Sequence, residues 1–321
     1  MAEVRWGLIG CGDISRKRVA PALREAPGSR LEAISRGQVD LLDEFAADFE
    51  VPKRFADWNA LVRDSDLDAV YVATPVSLHE PQTIAAAEAG KHVLCEKPMA
   101  LDPAACQRMI DACRANGVKL SIAYYRRFYP ILARMRELVE AGAIGKLALI
   151  QANAFEFFDR QPGEARRWII EREQSGGGPM MDFGSHRAEL FHHFFGPVLQ
   201  AHGVMDRVLF DRDVEDTSVA LFKLVGGARG VLTVTHAAAE ARDTLSLYGS
   251  EGSLHTPVLN DGELHIRTQE GETVESHPPH SNVHQPLVED FIEAIVNNRE
   301  PAVSGEDGLA AQRIMADIYR E

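Results

Sequence analysis

The chain of 321 residues has few cysteines, no excess of positive charge and no long apolar run. Its four cysteines, Cys11, Cys95, Cys106 and Cys113, all fall in the first third and form no CxxC pair. That pattern excludes a disulfide framework and fits a reducing, cytoplasmic setting. The 34 Lys+Arg stand against 48 Asp+Glu, a formal charge of -14. General nucleic-acid binding and docking on anionic membranes both need the opposite sign, so neither partner is expected. No stretch approaches the roughly 20 apolar residues of a spanning helix. The N-terminal MAEVRWGLIG has no basic segment ahead of an apolar run, so no signal peptide is expected. A GxSxG nucleophile elbow and a P-loop are also missing. His192-His193 and the His277, His280, His284 group match no standard zinc spacing, so no metal is expected.

Hydrophobic content of 45% and charged content of 26% are ordinary for a globular protein, and the length suggests two domains. Up to about residue 123, short apolar runs alternate with helical patterns. The runs VRWGLIG (4–10), LEAIS (31–35), DAVYVAT (68–74), HVLCE (92–96) and KLSIAY (119–124) read as buried strands. Segments 14–26, 39–48, 58–63, 79–89 and 102–116 read as helices. Continuous apolar strands separated by helices predict a doubly wound parallel sheet covered on both faces. After about 124 the pattern changes. A helix over 130–141 precedes strand-like runs at 146–158, 218–225, 229–239 and 244–250, with Gly226-Gly227 at a hairpin. This half, 124–321, predicts an α/β domain with an open, mostly antiparallel sheet. Helical spacing returns at 286–298, and a C-terminal helix is expected to pack back on the first domain. An open sheet leaves one face bare unless another subunit covers it, so a homodimer or homotetramer through this sheet is expected.

The first strand runs into Gly10-Cys11-Gly12-Asp13-Ile14-Ser15 and then a helix. In this context the turn predicts a dinucleotide site. Gly10 permits the tight turn, Gly12 leaves room for a pyrophosphate, and the helix start adds unpaired N–H groups. An acid at the end of the second strand would select NAD through the ribose 2′-hydroxyl. Here the residues are Ser35-Arg36-Gly37. Arg36 suits a 2′-phosphate, which favours NADP(H), with NAD(H) possible. Further on, Glu96-Lys97-Pro98 places one lysine at the end of a buried strand.

Taken together, GLIGCGDIS, VATPVSLH, GKHVLCEKP, YYRRFYP and GGGPMMDFGSH resemble the Gfo/Idh/MocA oxidoreductases over essentially the whole chain. The resemblance implies an N-terminal Rossmann domain, a substrate-binding second domain, and hydride transfer between NAD(P) and a carbinol or carbonyl carbon of a sugar, cyclitol or similar polyol. It makes Lys97, Asp182 and His186 the catalytic candidates. It puts Thr74, Pro75, His79 and Glu96 beside the cofactor, with Gly10, Gly12, Asp13, Ile14, Ser35, Arg36 and Lys97. Arg127 and Trp168 join the catalytic three as substrate-binding candidates. Many relatives follow the tryptophan with arginine, whereas Ile169 stands here, with Arg167 and Arg172 close by. Where relatives often carry aspartate after the histidine, this chain has Glu189. The residues suit the chemistry: a histidine near neutral pH can take a hydroxyl proton, a lysine can stabilise alkoxide charge, and Asp182 can orient either partner. The glycines at 176–178 are expected to let backbone approach the nicotinamide. A cofactor-binding regulator without turnover, and a redox-neutral enzyme using transient hydride transfer, remain open alternatives.

Overall fold

Strand formation in the first unit follows from runs of apolar residues too short for helices and buried on both sides. In the computed structural model, which describes residues 3–320, six parallel strands form one sheet in the order β3-β2-β1-β4-β5-β6. They are β1 (Val4–Ile9), β2 (Ser29–Ser35), β3 (Lys53–Phe55), β4 (Ala69–Val72), β5 (His92–Cys95) and β6 (Leu120–Ile122). All four residues of β4 are buried, as are the last three of β5. The helices are α1 (Ala20–Glu25), α2 (Val39–Asp48), α3 (Trp58–Val62), α4 (His79–Glu88) and α5 (Pro103–Ala115). Asp102 starts α5 by accepting the Ala105 N–H at 2.9 Å, ahead of Pro103. The strand order is that of a Rossmann sheet, with its switch point between β1 and β4.

The second unit carries an eight-stranded sheet in the order β14-β13-β12-β11-β7-β10-β9-β8. Its strands are β7 (Leu147–Phe157), β8 (Val198–Asp206), β9 (Thr217–Leu224), β10 (Arg229–Thr235), β11 (Ala237–Gly249), β12 (Gly252–Thr256), β13 (Glu263–Thr268) and β14 (Gly271–Ser276). Only the β7–β10 pairing is parallel. Burial alternates along β9, and Ala220, Phe222 and Leu224 form its inner face. Val219 and Leu221 point the other way, 38% and 54% exposed. The inner face packs on helices, with Phe222 edge-on to Phe191 at 5.3 Å. The helices are α6 (Pro130–Glu140), α7 (Arg172–Ser175) and α8 (Ser185–Phe194); a π-helical turn over Met180–Gly184 leads into α8. Helix α9 (Gln285–Val296) belongs to the first unit, and α10 (Gly305–Ile318) contributes to both.

The division is discontinuous in sequence. Residues up to Tyr125 group with His280–Leu309, and Arg126–Pro279 group with the residues from Ala310 on. This return of residues 280–309 joins α9 to the first unit. Within the first unit it is tied down by Ser121 Oγ donating to Val303 O at 2.7 Å and by Trp6 against Phe291, 5.9 Å between centroids. The short edge strand β3 and strands β8 and β12–β14 were outside the runs read from sequence; their mixed composition conceals them. Among the described residues no helix is long and apolar enough to cross a membrane.

Candidate active site

In the first unit the candidate residues gather at the carboxyl ends of the parallel strands. Gly10 follows β1 with φ +95°, and its N–H donates to Ser35 O at 3.0 Å. A Cβ at Gly10 would sit 2.5 Å from Ala73 O, so the turn admits only glycine. A Cβ at Gly12 would meet nothing within 4 Å, which leaves the space beside the turn clear. Ser15 takes the third fingerprint position and donates to Gly10 O at 2.5 Å, bracing the turn through its side chain. Asp13 pairs with Lys17 at 2.9 Å, and Ile14 begins the helical segment. Ser35 is buried; its carbonyl also receives the Cys11 thiol, a thiol that burial pushes up to about 12. The Arg36 guanidinium reaches from the end of β2 to Cys11 O at 2.5 Å and to Gln38 Oε1 at 2.8 Å. It lies against the glycine turn, and no acid replaces it at this strand end. These features fit a nicotinamide dinucleotide: a glycine-only turn, open space at Gly12, and a guanidinium where a ribose or its phosphate would rest.

Lys97 follows β5, and the Lys97–Pro98 bond is cis rather than the default trans. A buried network lies beneath it. Tyr71 donates to Glu96 Oε1 at 2.8 Å, His284 Nε2 lies 3.2 Å from the same oxygen, and the Lys97 N–H donates to Glu96 Oε2 at 3.3 Å. Burial pushes the Glu96 carboxyl up. The His284 hydrogen bond and charge, the Tyr71 donor and Lys97 outweigh it and hold the carboxyl below its usual value. Tyr125 stacks on His284 at 4.6 Å, and the Arg18 guanidinium lies 5.7 Å from the Tyr125 ring. Thus the Glu96 side chain is engaged inside the unit. His79 is equally committed: its ring nitrogens lie 2.9 Å from Pro98 O and 2.9 Å from Thr74 O. Burial lowers its pKa, so the ring is neutral and donates to one carbonyl at a time. Through it, the Thr74-Pro75 loop and the Lys97-Pro98 turn are pinned together. Thr74 Oγ1 itself donates to Gln82 at 2.7 Å.

In the second unit, Asp182 lies in the π-helical turn and His186 in the first turn of α8, where it is buried. Such wide turns are frequent at functional sites. Two glycines of the run expected to let backbone approach the nicotinamide also serve internal packing. A Cβ on Gly177 would strike the Tyr319 hydroxyl, and one on Gly178 the Glu215 carbonyl. Tyr319 donates to Glu215 Oε1 at 2.6 Å, and the Met180 N–H donates to the same oxygen at 3.2 Å. The glycines therefore let the π-turn seat against this pair. Arg127 is ion-paired with Glu189, with Nε 2.8 Å from Oε1 and both side chains buried. This gives Glu189 its role. Arg126 and Arg187 share Asp243, whose carboxyl burial would raise but which the two arginines hold low. Trp168 is half-buried on the cluster of Phe158, Ile169, Ile170 and Val214.

Sequence reasoning missed His236. It is buried at the end of β10, 5.1 Å from the Phe158 ring and edge-on to Phe183 at 5.3 Å. Arg212 Nη2 lies 3.2 Å from its Nδ1, and a guanidinium only donates, so the ring proton sits on Nε2. Burial drives its pKa down to about 4; Asp182 pulls it up, while Arg212 and Arg166 press it down. Its only sequence signal was one polar residue ending an apolar strand. His277 pairs with Glu275 at 2.7 Å and His280 with Asn282 O at 2.9 Å. Among the described residues no group of three or more His, Cys, Asp or Glu could hold a metal.

The comparisons with known proteins agree with this architecture. Residues 4–124 match the oxidoreductase family with an NAD-binding Rossmann fold, and residues 132–255 match the GFO/IDH/MocA C-terminal domain. The 1,5-anhydro-D-fructose reductase of Ensifer adhaerens is 32% identical over 320 residues, 95% of this chain and 92% of that protein. The aldose-aldose oxidoreductase from Caulobacter crescentus, solved with glycerol, superposes with a TM-score of 0.88 at 28% identity, over 99% of this chain and 97% of that one. The WlbA dehydrogenase from Bordetella pertussis, solved with NADH and UDP-GlcNAcA, gives 0.87 at 25% identity, over 99% and 95%. The two family matches, together spanning most of the chain, and a relative 32% identical over 95% of it show that this chain belongs to the Gfo/Idh/MocA oxidoreductase family.

Proposed function

We propose that the protein is an NADP-preferring dehydrogenase or reductase acting on a CH–OH carbon of a sugar, cyclitol or similar polyol. The observation that carries the reading is the joint position of Gly10, Arg36 and Lys97 at the carboxyl ends of β1, β2 and β5. In an open parallel sheet that edge is where a dinucleotide and its reacting partner bind. The names of the relatives, a reductase of an anhydro sugar and an aldose-aldose oxidoreductase, support the substrate class.

The turn at Gly10 and Gly12 receives the pyrophosphate, and Arg36 the 2′-phosphate. Asp13, Ile14, Ser35, Thr74, Pro75, His79 and Glu96 shape the same pocket, the last two by holding its loops. When bound, the nicotinamide supplies the hydride donor or acceptor. Lys97 donates a hydrogen bond to the substrate oxygen and stabilises its developing negative charge. His186 takes the hydroxyl proton during oxidation and returns it during reduction. Asp182 orients a substrate hydroxyl or the imidazole. Arg127 and Trp168 bound the substrate pocket. The protein works in the cytoplasm, where its four buried thiols stay reduced, and self-associates through the bare face of the second sheet.

The test is turnover of a panel of sugars and cyclitols with NADP and NAD in parallel, read as reduced-nicotinamide absorbance. Turnover favouring NADP is expected, with losses of about 100- to 10,000-fold in Lys97→Ala and His186→Ala. Arg36→Ala should erase the preference for NADP. Cofactor binding without any turnover would overturn the dehydrogenase reading.

A further inference from the structure

Several buried arginines of the second unit are held by carboxylates. Arg126 and Arg187 meet Asp243, and Arg127 meets Glu189. Around Phe158 the pattern differs. The Arg160 guanidinium lies 4.4 Å from the centre of the Phe158 ring and that of Arg166 lies 4.8 Å from it. Among the described residues, neither has a carboxylate within ion-pair distance. Arg160 donates only to the neighbouring Asp159 carbonyl, at 2.6 Å. Arg212 adds a third cation, donating to the Phe158 carbonyl at 3.1 Å and the Glu215 carbonyl at 2.8 Å. Arg167 is the fourth; it donates to Arg160 O and has one long contact with Glu171, at 3.3 Å. In a chain of net charge -14, acidic partners are plentiful. Two half-buried guanidiniums on one aromatic ring repel each other, and the attraction of each to the ring face offsets that only in part.

Two further facts point the group toward the candidate site. Arg166 holds φ +66°, a left-handed conformation that non-glycine residues seldom adopt and that clusters at ligand sites. Arg166 and Asp182 both act electrostatically on the buried His236 imidazole, the guanidinium pressing its pKa down and the carboxylate pulling it up. Trp168, a substrate-binding candidate, packs on the same Phe158 cluster. The nearby acids Glu156, Asp159 and Asp182 keep the region from being uniformly cationic.

We propose that Arg160 and Arg166 form an oxyanion subsite, so that the substrate is a sugar or polyol carrying a carboxylate or a phosphate. A planar guanidinium meets either group through two parallel N–H bonds, and the second arginine fixes its direction. This rests on the hydride-transfer reading for the reacting carbon and adds the charge at the far end of the substrate.

The experiment is titration calorimetry on the full chain, saturated with NADP, using hexuronic and aldonic acids, hexose phosphates and their neutral parents. Each arm is repeated with the Arg160→Gln/Arg166→Gln double variant. One anionic class should bind at least tenfold tighter than its neutral parent. The double variant should lose roughly ten- to hundredfold in that affinity, and the neutral sugar should be unaffected. Added salt should weaken the anionic ligand in the wild type only. The acid and phosphate arms decide which oxyanion is read. Neutral parents binding as tightly as the charged forms, or charged ligands insensitive to the double variant, would overturn the subsite. Arginine-dependent binding without turnover would instead sink the hydride-transfer reading and leave the subsite standing. Turnover of the charged substrates with an unchanged KM in the double variant would do the reverse. The substitutions are partly exposed, so the unfolding midpoint should stay within about 2 °C.

Discussion

The two units use burial in opposite ways, and the contrast decides what each can do. In the first, every residue of β4 is buried and the strands serve as a scaffold whose loops hold the proposed cofactor residues. In the second, β9 alternates buried and exposed residues, so one sheet face makes core and the other meets solvent. The first unit offers a ligand backbone groups at strand ends: a glycine turn, a loop pinned by His79 and a lysine held above buried Glu96. The second offers side chains from a π-turn and helix, steadied by buried arginine–carboxylate pairs. A backbone site tolerates almost no change in the chain that builds it. A side-chain site allows specificity to vary while its scaffold stays fixed.

The sharpest way to break this contrast is at Gly10. Gly10→Ala puts a Cβ 2.5 Å from Ala73 O at φ +95°. The turn has to open, and we expect cofactor binding to be abolished, with a stability loss of several kcal/mol. Gly12→Ala is the control, because its Cβ meets nothing within 4 Å. That variant should unfold like the wild type and lose only cofactor affinity. Nicotinamide fluorescence titration and urea unfolding on both variants check the pair. Equal stability of the two alanine variants would mean that the turn is not backbone-determined.

The second test asks whether alternation in β9 means two different faces. Phe222, 2% exposed, packs against Phe191, and Phe222→Ala should cost about 3–5 kcal/mol in urea unfolding. Leu221, one residue before it, is 54% exposed. Leu221→Asp should change the unfolding free energy of the isolated subunit by less than about 1 kcal/mol. It should nevertheless shift the mass seen by light scattering from oligomer to monomer, since it puts a charge on the bare face. A wild type that is monomeric at micromolar concentration would remove self-association from the proposal and leave the core argument intact.

The same contrast explains what the sequence made legible. The continuous apolar runs of β1, β2, β4 and β5 and the cap-and-proline start of α5 identified the first unit nearly residue by residue, because local signals and tertiary burial agree there. Glycine turn, Arg36 and Lys97 were readable because chain order fixes their place at strand ends. In the second unit β7, β9 and β10 were visible, but β8 and β12–β14 mix polar and apolar residues and pair over long range. The packing of Gly177 against Tyr319 and of Gly178 against Glu215, more than thirty residues away in sequence, could not be read from the local pattern. The Glu96–Tyr71–His284 network depends on contacts that no local pattern announces. His236 was hidden for the same reason.

That histidine supplies the gentlest test, through pH. Both units bury a histidine whose pKa burial depresses, His79 in the first and His236 in the second. For His236 the folded value is about 4, against 6.5 for the unfolded chain. Above pH 6.5 neither state binds the proton and the histidine does not affect the balance. Between pH 6.5 and about 4 the unfolded chain binds it and the folded chain does not, so falling pH favours unfolding. The stability present at neutral pH is therefore lost across that window, by about 3 kcal/mol once pH falls below the folded value. His236→Gln keeps an acceptor for Arg212 and removes the titration, so its unfolding free energy should fall less steeply over the same window. Tryptophan fluorescence during urea unfolding from pH 7 to pH 4 reads the difference. Identical slopes would show that Asp182 stabilises the imidazolium enough to cancel burial, and would make His236 a titrating partner of the candidate site rather than a neutral wall of it.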